Sequence, residues 1–255
     1  MKWNLVTFAD GNFYNRQKYL EDYAKSLGMG TYSYTHDWFK KTDFYKEYKH
    51  ILVDKTGLGY FLWKSYIIND AIHKMEDDEL LFYSDVGDVF HSDLIPFVEE
   101  IIENDPCLFI VGNAINKDFT RRDCFFYMDC DEEDYWNSNQ LEAGMSFWRV
   151  CDKSKNIISE YLKYACDRRI ISDDPNVCGK ENFPTFREHR WDQSILTNLA
   201  VKYGLSVAPQ DIRSYIECNY DYWYERYANG GSPMQRPIDT YLQQNKKHLM
   251  SLYEN

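Results

Sequence analysis

Two carboxylates that directly follow a short apolar run are the residues of this chain best placed to do chemistry. The run Glu79–Tyr83 predicts a buried strand, and it leads straight into the segment Ser84–Asp88. Groups that follow a strand lie at the carboxyl edge of the sheet, where open α/β folds bind ligands. Asp85 and Asp88 could therefore share a divalent cation that bridges a diphosphate. The alternative interpretation is a turn with two solvated aspartates.

A second polar segment precedes an apolar run further along the chain. Gln140 and Glu142 lie beside Ala143 and Gly144, and the pattern over Met145–Arg149 predicts a strand directly after them. Small side chains would let a sugar or a phosphate lie against the backbone, with the amide and the carboxylate at its rim. The alternative is a tight turn that only leads into the strand.

A third segment, His189–Ser194, carries an imidazole, a guanidinium, a carboxylate and an amide. It lies at the start of an apolar helix predicted over Asp192–Tyr203. Asp192 or Ser194 could simply cap that helix. Because so many polar groups exceed what a cap needs, Asp192 and Gln193 are also candidates for catalysis.

Short apolar runs alternate with amphipathic stretches, which is the pattern of βαβ units around a largely parallel sheet. The irregular stretch 113–139 carries the basic residues Lys117, Arg121 and Arg122, and a loop region this long inside a compact domain is usually functional. The predicted strands span 4–8, 30–35, 79–83, 108–111, 145–149 and 205–208, and the predicted helices span 16–27, 60–75, 94–103, 156–166 and 192–203.

Length and composition predict one folded domain. A chain of 255 residues that is 44% hydrophobic and 17% aromatic can bury a core without disulfides or metals and is not disordered. Seven cysteines, without an export segment or the paired spacing of a zinc site, favour a reducing cytoplasm and disfavour zinc binding. No apolar run approaches the length of a membrane span.

The net charge of −12 disfavours a protein that coats nucleic acid non-specifically. The acidity is local, however, because residues 70–105 hold twelve acidic side chains against a single basic one, Lys74. It therefore belongs to the segment around Asp85 and Asp88. The rest of the surface stays free to meet an anionic acceptor.

Taken in order, these segments resemble glycosyltransferases of the GT-A fold over roughly residues 4–210. The succession of Ala143-Gly144 and Asp192-Gln193 is similar to the retaining branch that includes glycogenin-like and galactosyltransferase-like enzymes. Four segments more narrowly resemble uncharacterised phage, viral and bacterial glycosyltransferase-like proteins: Gly59–Lys64, Tyr83–Gly87, Arg122-Asp123 and His189–Ser194.

The resemblance implies a single GT-A-like catalytic domain over residues 1–255, a Rossmann-like α/β fold whose mixed, mostly parallel central sheet is flanked by helices. Residues 1–112 would form the nucleotide-binding half and residues 113–214 the half that binds the donor sugar and the acceptor. Residues 215–255 would form an aromatic C-terminal tail packed on the body.

The resemblance also implies a role for individual side chains. Phe8, Ala9 and Asp10 would contact the base and ribose, and Lys64 would reach a phosphate. The implied sets are catalytic Asp192, Gln193 and Glu142; donor-binding Phe8, Ala9, Asp10, Lys64, Ser84, Arg122, Asp123, Gln140 and Gly144; and Asp85 and Asp88 as ligands of Mn²⁺ or Mg²⁺.

Two features depart from the family pattern. The usual metal motif is Asp-x-Asp, whereas here two residues separate Asp85 from Asp88. Many relatives supply a late histidine ligand, and the histidine after the Asp-Gln pair in this chain is His248, in a Lys-rich tail. His91 and His189 are possible substitutes.

The implied reaction is transfer of a hexose or pentose from a nucleotide-sugar, with a UDP-sugar favoured, to a hydroxyl of a glycan or of a modified DNA base. Retention is favoured over inversion by the resemblance alone. The alternatives are a metal-dependent nucleotidyl or phosphoryl transferase and a non-catalytic nucleotide- or glycan-binding protein of the same fold. A phage or viral protein of this kind would work in the cytoplasm of the host cell.

The aromatic cluster within 220–227 is either a tail helix packed on the body or a platform on which acceptor groups stack.

Overall fold

A six-stranded sheet forms the centre of the computed structural model, which describes residues 1–90, 92, 94–103, 105–208 and 216–217. The strand order is β2-β1-β3-β6-β5-β7, and a separate pair is formed by β4 and β8. The strands are β1 (Trp3–Ala9), β2 (Gly30–Thr35), β3 (Leu80–Ser84), β4 (Val89–Phe90), β5 (Cys107–Ile115), β6 (Asn139–Arg149), β7 (Ser206–Ala208) and β8 (Ile216–Glu217).

The sheet is mixed and mostly parallel, as the sequence predicts. β1 pairs in parallel with β2 and β3, and β5 pairs in parallel with β7. The exception is β6, which runs antiparallel to both of its neighbours, β3 and β5. Every residue of β1 and β3 is buried, which is why these strands are near-continuous apolar runs rather than alternating ones.

Helices cover both faces of the sheet. The longer helices are α1 (Tyr14–Ser26), α6 (Leu62–Ile72), α7 (Leu94–Ile102), α10 (Asp152–Ala165) and α12 (Trp191–Tyr203), and the short ones are α2 (His36–Phe39), α3 (Asp43–Glu47), α4 (Lys49–Leu52), α5 (Gly57–Tyr60), α8 (Arg122–Tyr127), α9 (Glu133–Trp136) and α11 (Arg168–Ile171).

The buried apolar side chains form two hydrophobic clusters, one on each face of the sheet. Leu5 and Phe82 face α1 and α7 in one cluster, while their neighbours Val6 and Leu81 face α6, α10 and α12 in the other. Successive strand side chains point to opposite faces, so each central strand contributes to both cores. Among the described residues, every helix is too short or too polar to cross a membrane.

The structure corrects the predicted elements in three places. The strand predicted over 145–149 begins at Asn139, so the Gln140–Gly144 segment is strand rather than a preceding turn. The connection before residue 60 contains the four short helices α2 to α5, and the irregular stretch 113–139 contains α8 and α9. The predicted helix over 60–75 begins at Leu62, because the residues just before it are left-handed.

The short element α5 and the residue that follows it, Phe61, form a left-handed turn before α6 rather than a regular right-handed helix. All five residues have positive φ angles, between +53° and +89°. Non-glycine residues in this conformation cost roughly 1–2 kcal/mol each, so the surrounding structure must hold them. The indole of Trp63 donates to the Gly57 carbonyl over 2.9 Å, and the Tyr60 hydroxyl donates to Asp54 over 2.8 Å. These bonds fix the start of the helix that carries Lys64.

Replacing Gly59 by alanine is expected to lower the free energy of unfolding by about 2–4 kcal/mol, because strain and overpacking add. Gly59 has φ +89°, and a Cβ there would lie 2.6 Å from Cα of Leu52. Gly204→Ala is the matched control, since Gly204 has φ +57° and open space around it; it should cost only about 1 kcal/mol. Urea unfolding measures both, and equal losses would show that the contact with Leu52 is unimportant.

The predicted features that involve the tail fall beyond the described residues. They are His248, the aromatic cluster within 220–227 and, apart from the pairing of Ile216–Glu217 with β4, the packing of residues 215–255; His91 is also outside the described set.

Candidate functional site

The site lies where the carboxyl ends of β1 and β3 meet β6. Asp10 follows β1 and Asp85 follows β3; because these strands are parallel and paired, both residues emerge at the same edge of the sheet. β6 runs past this edge in the opposite direction, and the Asp85 amide donates to the Gly144 carbonyl over 2.8 Å. The antiparallel strand thus brings the second polar segment of the sequence beside the first.

A buried ammonium joins the site together. Lys64, on α6, is only 3% exposed, and its Nζ donates to the Ala143 carbonyl over 3.0 Å. The same Nζ lies 3.2 Å from Oδ2 of Asp192 and 3.5 Å from Oδ1 of Asp85. Burial opposes the charged form, but the two carboxylates outweigh it, so the pKa of Lys64 is raised above its ordinary value and the side chain stays an ammonium.

Two buried tyrosines hold the two carboxylates on either side of Lys64. The Tyr83 hydroxyl donates to Oδ1 of Asp85, and the Tyr161 hydroxyl donates to Oδ2 of Asp192 over 3.3 Å. Burial, reinforced by these carboxylates, raises the pKa of both phenols well above 10, so both remain donors. Sequence reasoning gave neither tyrosine a role, although Tyr83 begins one of the segments that carry the resemblance, because an aromatic side chain in a strand or an amphipathic helix indicates only core.

The Oδ2 atoms of Asp85 and Asp88 both lie close to Gly144, on the side where a side chain would stand. A Cβ built on Gly144 would lie 2.9 Å from Oδ2 of Asp88 and 3.5 Å from Oδ2 of Asp85. The missing side chain therefore leaves a cradle in which two carboxylate oxygens converge. Such a pair suits a hard divalent cation whose remaining ligands come from a diphosphate and water. Within the described ranges, no group of three or more His, Cys, Asp or Glu side chains is arranged so that it could hold a metal ion.

An aromatic pocket of about 350 Å³ opens next to Asp85. Phe8 and Trp63 stack in its wall with their ring centroids 4.0 Å apart. Asp10 also lines the pocket, and its Oδ1 is buried without a hydrogen-bond partner among the described residues. A flat apolar ligand with an N–H or O–H donor would satisfy that oxygen. The full lining is Phe8, Ala9, Asp10, Phe13, Gly57, Leu58, Phe61, Trp63, Asp85, Val86 and Gly87.

A polar pocket of about 410 Å³ is lined by Glu142, Gln193, Arg187 and Arg190, among others. The Gln193 amide donates to Oε1 of Gln140 over 2.7 Å, and its Oε1 accepts from the Ala143 amide over 3.5 Å. Gln193 therefore ties the wall of this pocket to the strand segment that also bonds Lys64 and Asp85. Carboxylates, guanidinium groups and amides together match the hydroxyl-rich surface of a sugar.

Neither of these two pockets is lined by the predicted catalytic residue Asp192 or by five of the predicted donor ligands, which are Lys64, Ser84, Arg122, Asp123 and Gly144. Arg122 forms an ion pair with Asp131 and lies over the ring of Phe183, 4.4 Å from its centroid. Asp123 is fully buried and accepts from the backbone amides of residues 177 and 178. Ser84 is also fully buried. Arg122 and Asp123 fasten the loop after α11 to α8, and a direct role in donor binding stays a prediction.

Both ring nitrogens of His189 form hydrogen bonds with the backbone, so the side chain does not offer a metal ligand. Its Nε2 bonds the carbonyl of Ile170 over 2.9 Å, and its Nδ1 accepts from the Arg121 amide over 3.3 Å. These partners require the neutral ring with the proton on Nε2. Burial lowers the pKa of His189 to about 3.

Comparisons with known proteins find similarity in structure only; no protein-family model and no curated protein sequence matches the chain. An active-site variant of LgtC has a TM-score of 0.46 at 11% identity, over 94% of this chain and 81% of that one. Mouse xyloside xylosyltransferase 1 has a TM-score of 0.44 at 10% identity, over 89% and 93%. A glycosyltransferase involved in glycosylation of the major capsid of PBCV-1 has a TM-score of 0.42 at 11% identity, over 69% and 72%.

All three are glycosyltransferases. The chain is similar to them in fold, at identities and TM-scores too low to transfer a substrate or the role of any residue. The function of this site therefore rests on its own geometry.

Acid is expected to destabilise the fold through His189. Its pKa is about 3 in the folded chain and 6.5 in an unstructured peptide, so the unfolded chain binds one more proton between these values and stability falls as the pH drops below about 6.5. The expected slope is up to about 1.4 kcal/mol per pH unit. His189→Asn should flatten this slope in urea unfolding at pH 4 to 7, whereas His73→Gln, at an exposed position, should not. An unchanged slope in His189→Asn would contradict the assignment.

Proposed function

We propose that this protein is a glycosyltransferase that moves a sugar from a nucleoside-diphosphate sugar to a hydroxyl group of an acceptor. One observation carries the proposal: Asp85 lines an aromatic pocket, Gln193 lines a polar pocket, and the buried Lys64 and the backbone of Ala143 link the two residues. A nucleotide-sugar has the same division, with a flat base at one end, a diphosphate in the middle and a sugar at the other end.

The aromatic pocket suits the base and ribose of the donor. Phe8 and Trp63 supply apolar ring surface, and the unpartnered oxygen of Asp10 accepts a hydrogen bond from a base N–H or a ribose hydroxyl. A uracil base, with one N–H in its ring plane, is a suitable match, so we favour a UDP-sugar. Ala9 lets the backbone at the end of β1 approach the ligand.

Asp85 and Asp88 would hold Mn²⁺ or Mg²⁺ through the two oxygens that converge beside Gly144. When bound, such a cation neutralises the negative charge that builds up on the departing diphosphate. Lys64 has a different task from the one that the sequence resemblance implies. Its three N–H donors already face Ala143, Asp85 and Asp192, so it positions the two carboxylates instead of reaching a phosphate.

The sugar of the donor would lie against Ala143 and Gly144, where small residues allow close approach. Glu142 from β6 and Gln193 from the start of α12 line the polar pocket, and the proposed catalytic carboxylate is that of Asp192, the residue next to Gln193. In the reaction the bond between the anomeric carbon and the diphosphate oxygen breaks, and its electron pair leaves with the diphosphate. The acceptor oxygen forms the new bond to the anomeric carbon, and its proton passes to the departing diphosphate. The polar pocket beside Glu142 would hold the donor sugar together with the attacking hydroxyl of the acceptor, a glycan or a modified DNA base.

Asp192→Asn is expected to lower kcat by about 10²–10³-fold, the usual effect of removing one preorganised polar group from a reacting centre. The assay incubates the protein with UDP-, GDP-, ADP- and CMP-sugars, with and without Mn²⁺, and identifies the released nucleotide by chromatography. Intact nucleoside diphosphate, or CMP from a CMP-sugar, shows that the sugar is cleaved from the donor and passed to water, the acceptor that the assay holds. Asp43→Asn, at a solvent-exposed carboxylate on α3, is the control and should be unaffected.

Two results would overturn the proposal. Release of pyrophosphate, or of a nucleoside monophosphate from a diphosphate donor, would indicate nucleotidyl or phosphoryl transfer. Donor binding without turnover would indicate a binding protein of the same fold.

Gly144→Ala is expected to weaken binding of Mn²⁺ about 10–100-fold, the size typical of a change next to metal ligands. The new Cβ would meet Oδ2 of Asp88 at 2.9 Å and push the two carboxylates apart, while it meets no backbone atom within 4 Å. Gly11→Ala, at an open position, is the control. Calorimetric titration with Mn²⁺ measures the effect, and equal affinities in the two variants would show that the cradle is not the cation site.

A further inference from the structure

Tyr161 lies on α10, an element that contributes no residue to any of the three polar segments of the sequence. The side chain is fully buried, and its hydroxyl lies 3.3 Å from Oδ2 of Asp192. Helix α10 packs against both α6 and α12, which carry Lys64 and Asp192. The Tyr161 side chain therefore approaches Asp192 through the hydrophobic core.

A buried hydroxyl at this position needs a reason. Leaving such a group without a partner costs about 1–3 kcal/mol, and a phenylalanine would fill the same space without that cost. Among the described residues, the hydrogen-bond partner that the structure gives to the Tyr161 hydroxyl is Asp192. The oxygen thus serves the carboxylate rather than the packing of the core.

Tyr161 and Lys64 bind the same oxygen of Asp192. Nζ of Lys64 is 3.2 Å from Oδ2, and the Tyr161 hydroxyl is 3.3 Å from it. Two donors on one oxygen fix the rotation of the carboxylate, and they leave Oδ1 bound by neither. The orientation of Oδ1 therefore depends on both donors.

Lys64 does not serve Asp192 alone, because its ammonium also faces Asp85 and the Ala143 carbonyl. The phenol of Tyr161 is a rigid group enclosed by the core, with a pKa that burial raises well above 10, so its donor is always present. Tyr83 gives Asp85 the same kind of support on the other side of Lys64.

We propose that Tyr161 is a positioning residue, which fixes the Asp192 carboxylate for sugar transfer and takes no part in binding the donor. This inference rests on the proposed function. It extends the site into α10, where the sequence carries no catalytic motif.

Tyr161→Phe tests the inference, because it removes a single oxygen from a buried ring. We expect kcat to fall about 10–100-fold, since small misplacements of a catalytic group have effects of this size. The KM for the donor and the rise in Tm that the donor produces should stay within about twofold of the wild-type values, since binding is not involved. Tyr164→Phe, one turn further along the same helix and outside the site, is the matched control and should keep the wild-type kcat.

Two further measurements separate positioning from a general structural effect. In the Asp192→Asn background, Tyr161→Phe should have little further effect on kcat, because the two residues act as one unit. Protein with 3-fluorotyrosine at position 161 keeps the hydroxyl and should keep the wild-type kcat, which also covers the case in which Tyr161→Phe fails to fold.

The outcomes are distinct. A wild-type protein that transfers no sugar overturns the proposed function and this inference together. An active wild type with an unchanged kcat in Tyr161→Phe overturns the inference alone, as does a loss of kcat that comes with an equal loss of donor binding or that persists in the Asp192→Asn background.

Discussion

The buried ammonium of Lys64 is the constraint on which the rest of the site depends. An ammonium that is 3% exposed must have its charge matched, and here Asp85 and Asp192 do so at 3.5 and 3.2 Å. Breaking a buried pair by removing one partner typically costs about 3–5 kcal/mol, because the remaining charge is left uncompensated. The end of β3, the start of α12 and the middle of β6 must therefore come together around α6 for the fold to be stable. The same requirement assembles the proposed catalytic groups.

Local strain supports this arrangement at two helix starts. Phe61 has φ +63° just before α6, and Trp191 has φ +42° as the first residue of α12. Their rings pack 5.7 Å apart, so the two strained residues stabilise each other. Neither conformation would persist without such packing, and both residues lie within three positions of a member of the buried ion pair. The strain thus fixes how the two helices present Lys64 and Asp192.

The sequence predicts the parts of this site that depend on local pattern, and it misses those that depend on distant partners. The apolar run before Ser84 predicts β3, and with it the place of Asp85 at the sheet edge. The left-handed turn is not predictable, because Leu58 and Phe61 are ordinary helix residues until the surrounding bonds force them. The structural role of Asp123 is equally unpredictable from the sequence, since its partners at 177 and 178 lie more than fifty residues away. Tyr161 has the helical spacing of a core residue, and only the hydrogen bond from its hydroxyl to Asp192 indicates a further role.

The charges of the site also bear on how a donor could bind. Asp85, Asp88 and Asp192 carry three carboxyl groups, and among the described residues the buried cation that faces two of them is Lys64. A diphosphate that enters beside Gly144 would add negative charge next to Asp85 and Asp88, which belong to the acidic segment 70–105. Coulomb repulsion at these distances is large in a partly buried site, so the diphosphate needs a positive partner that Lys64, already committed, does not provide. A divalent cation in the Asp85 and Asp88 cradle would supply that charge where the repulsion is greatest. If the proposed diphosphate donor binds here, the charges of Asp85 and Asp88 therefore favour the proposed cation.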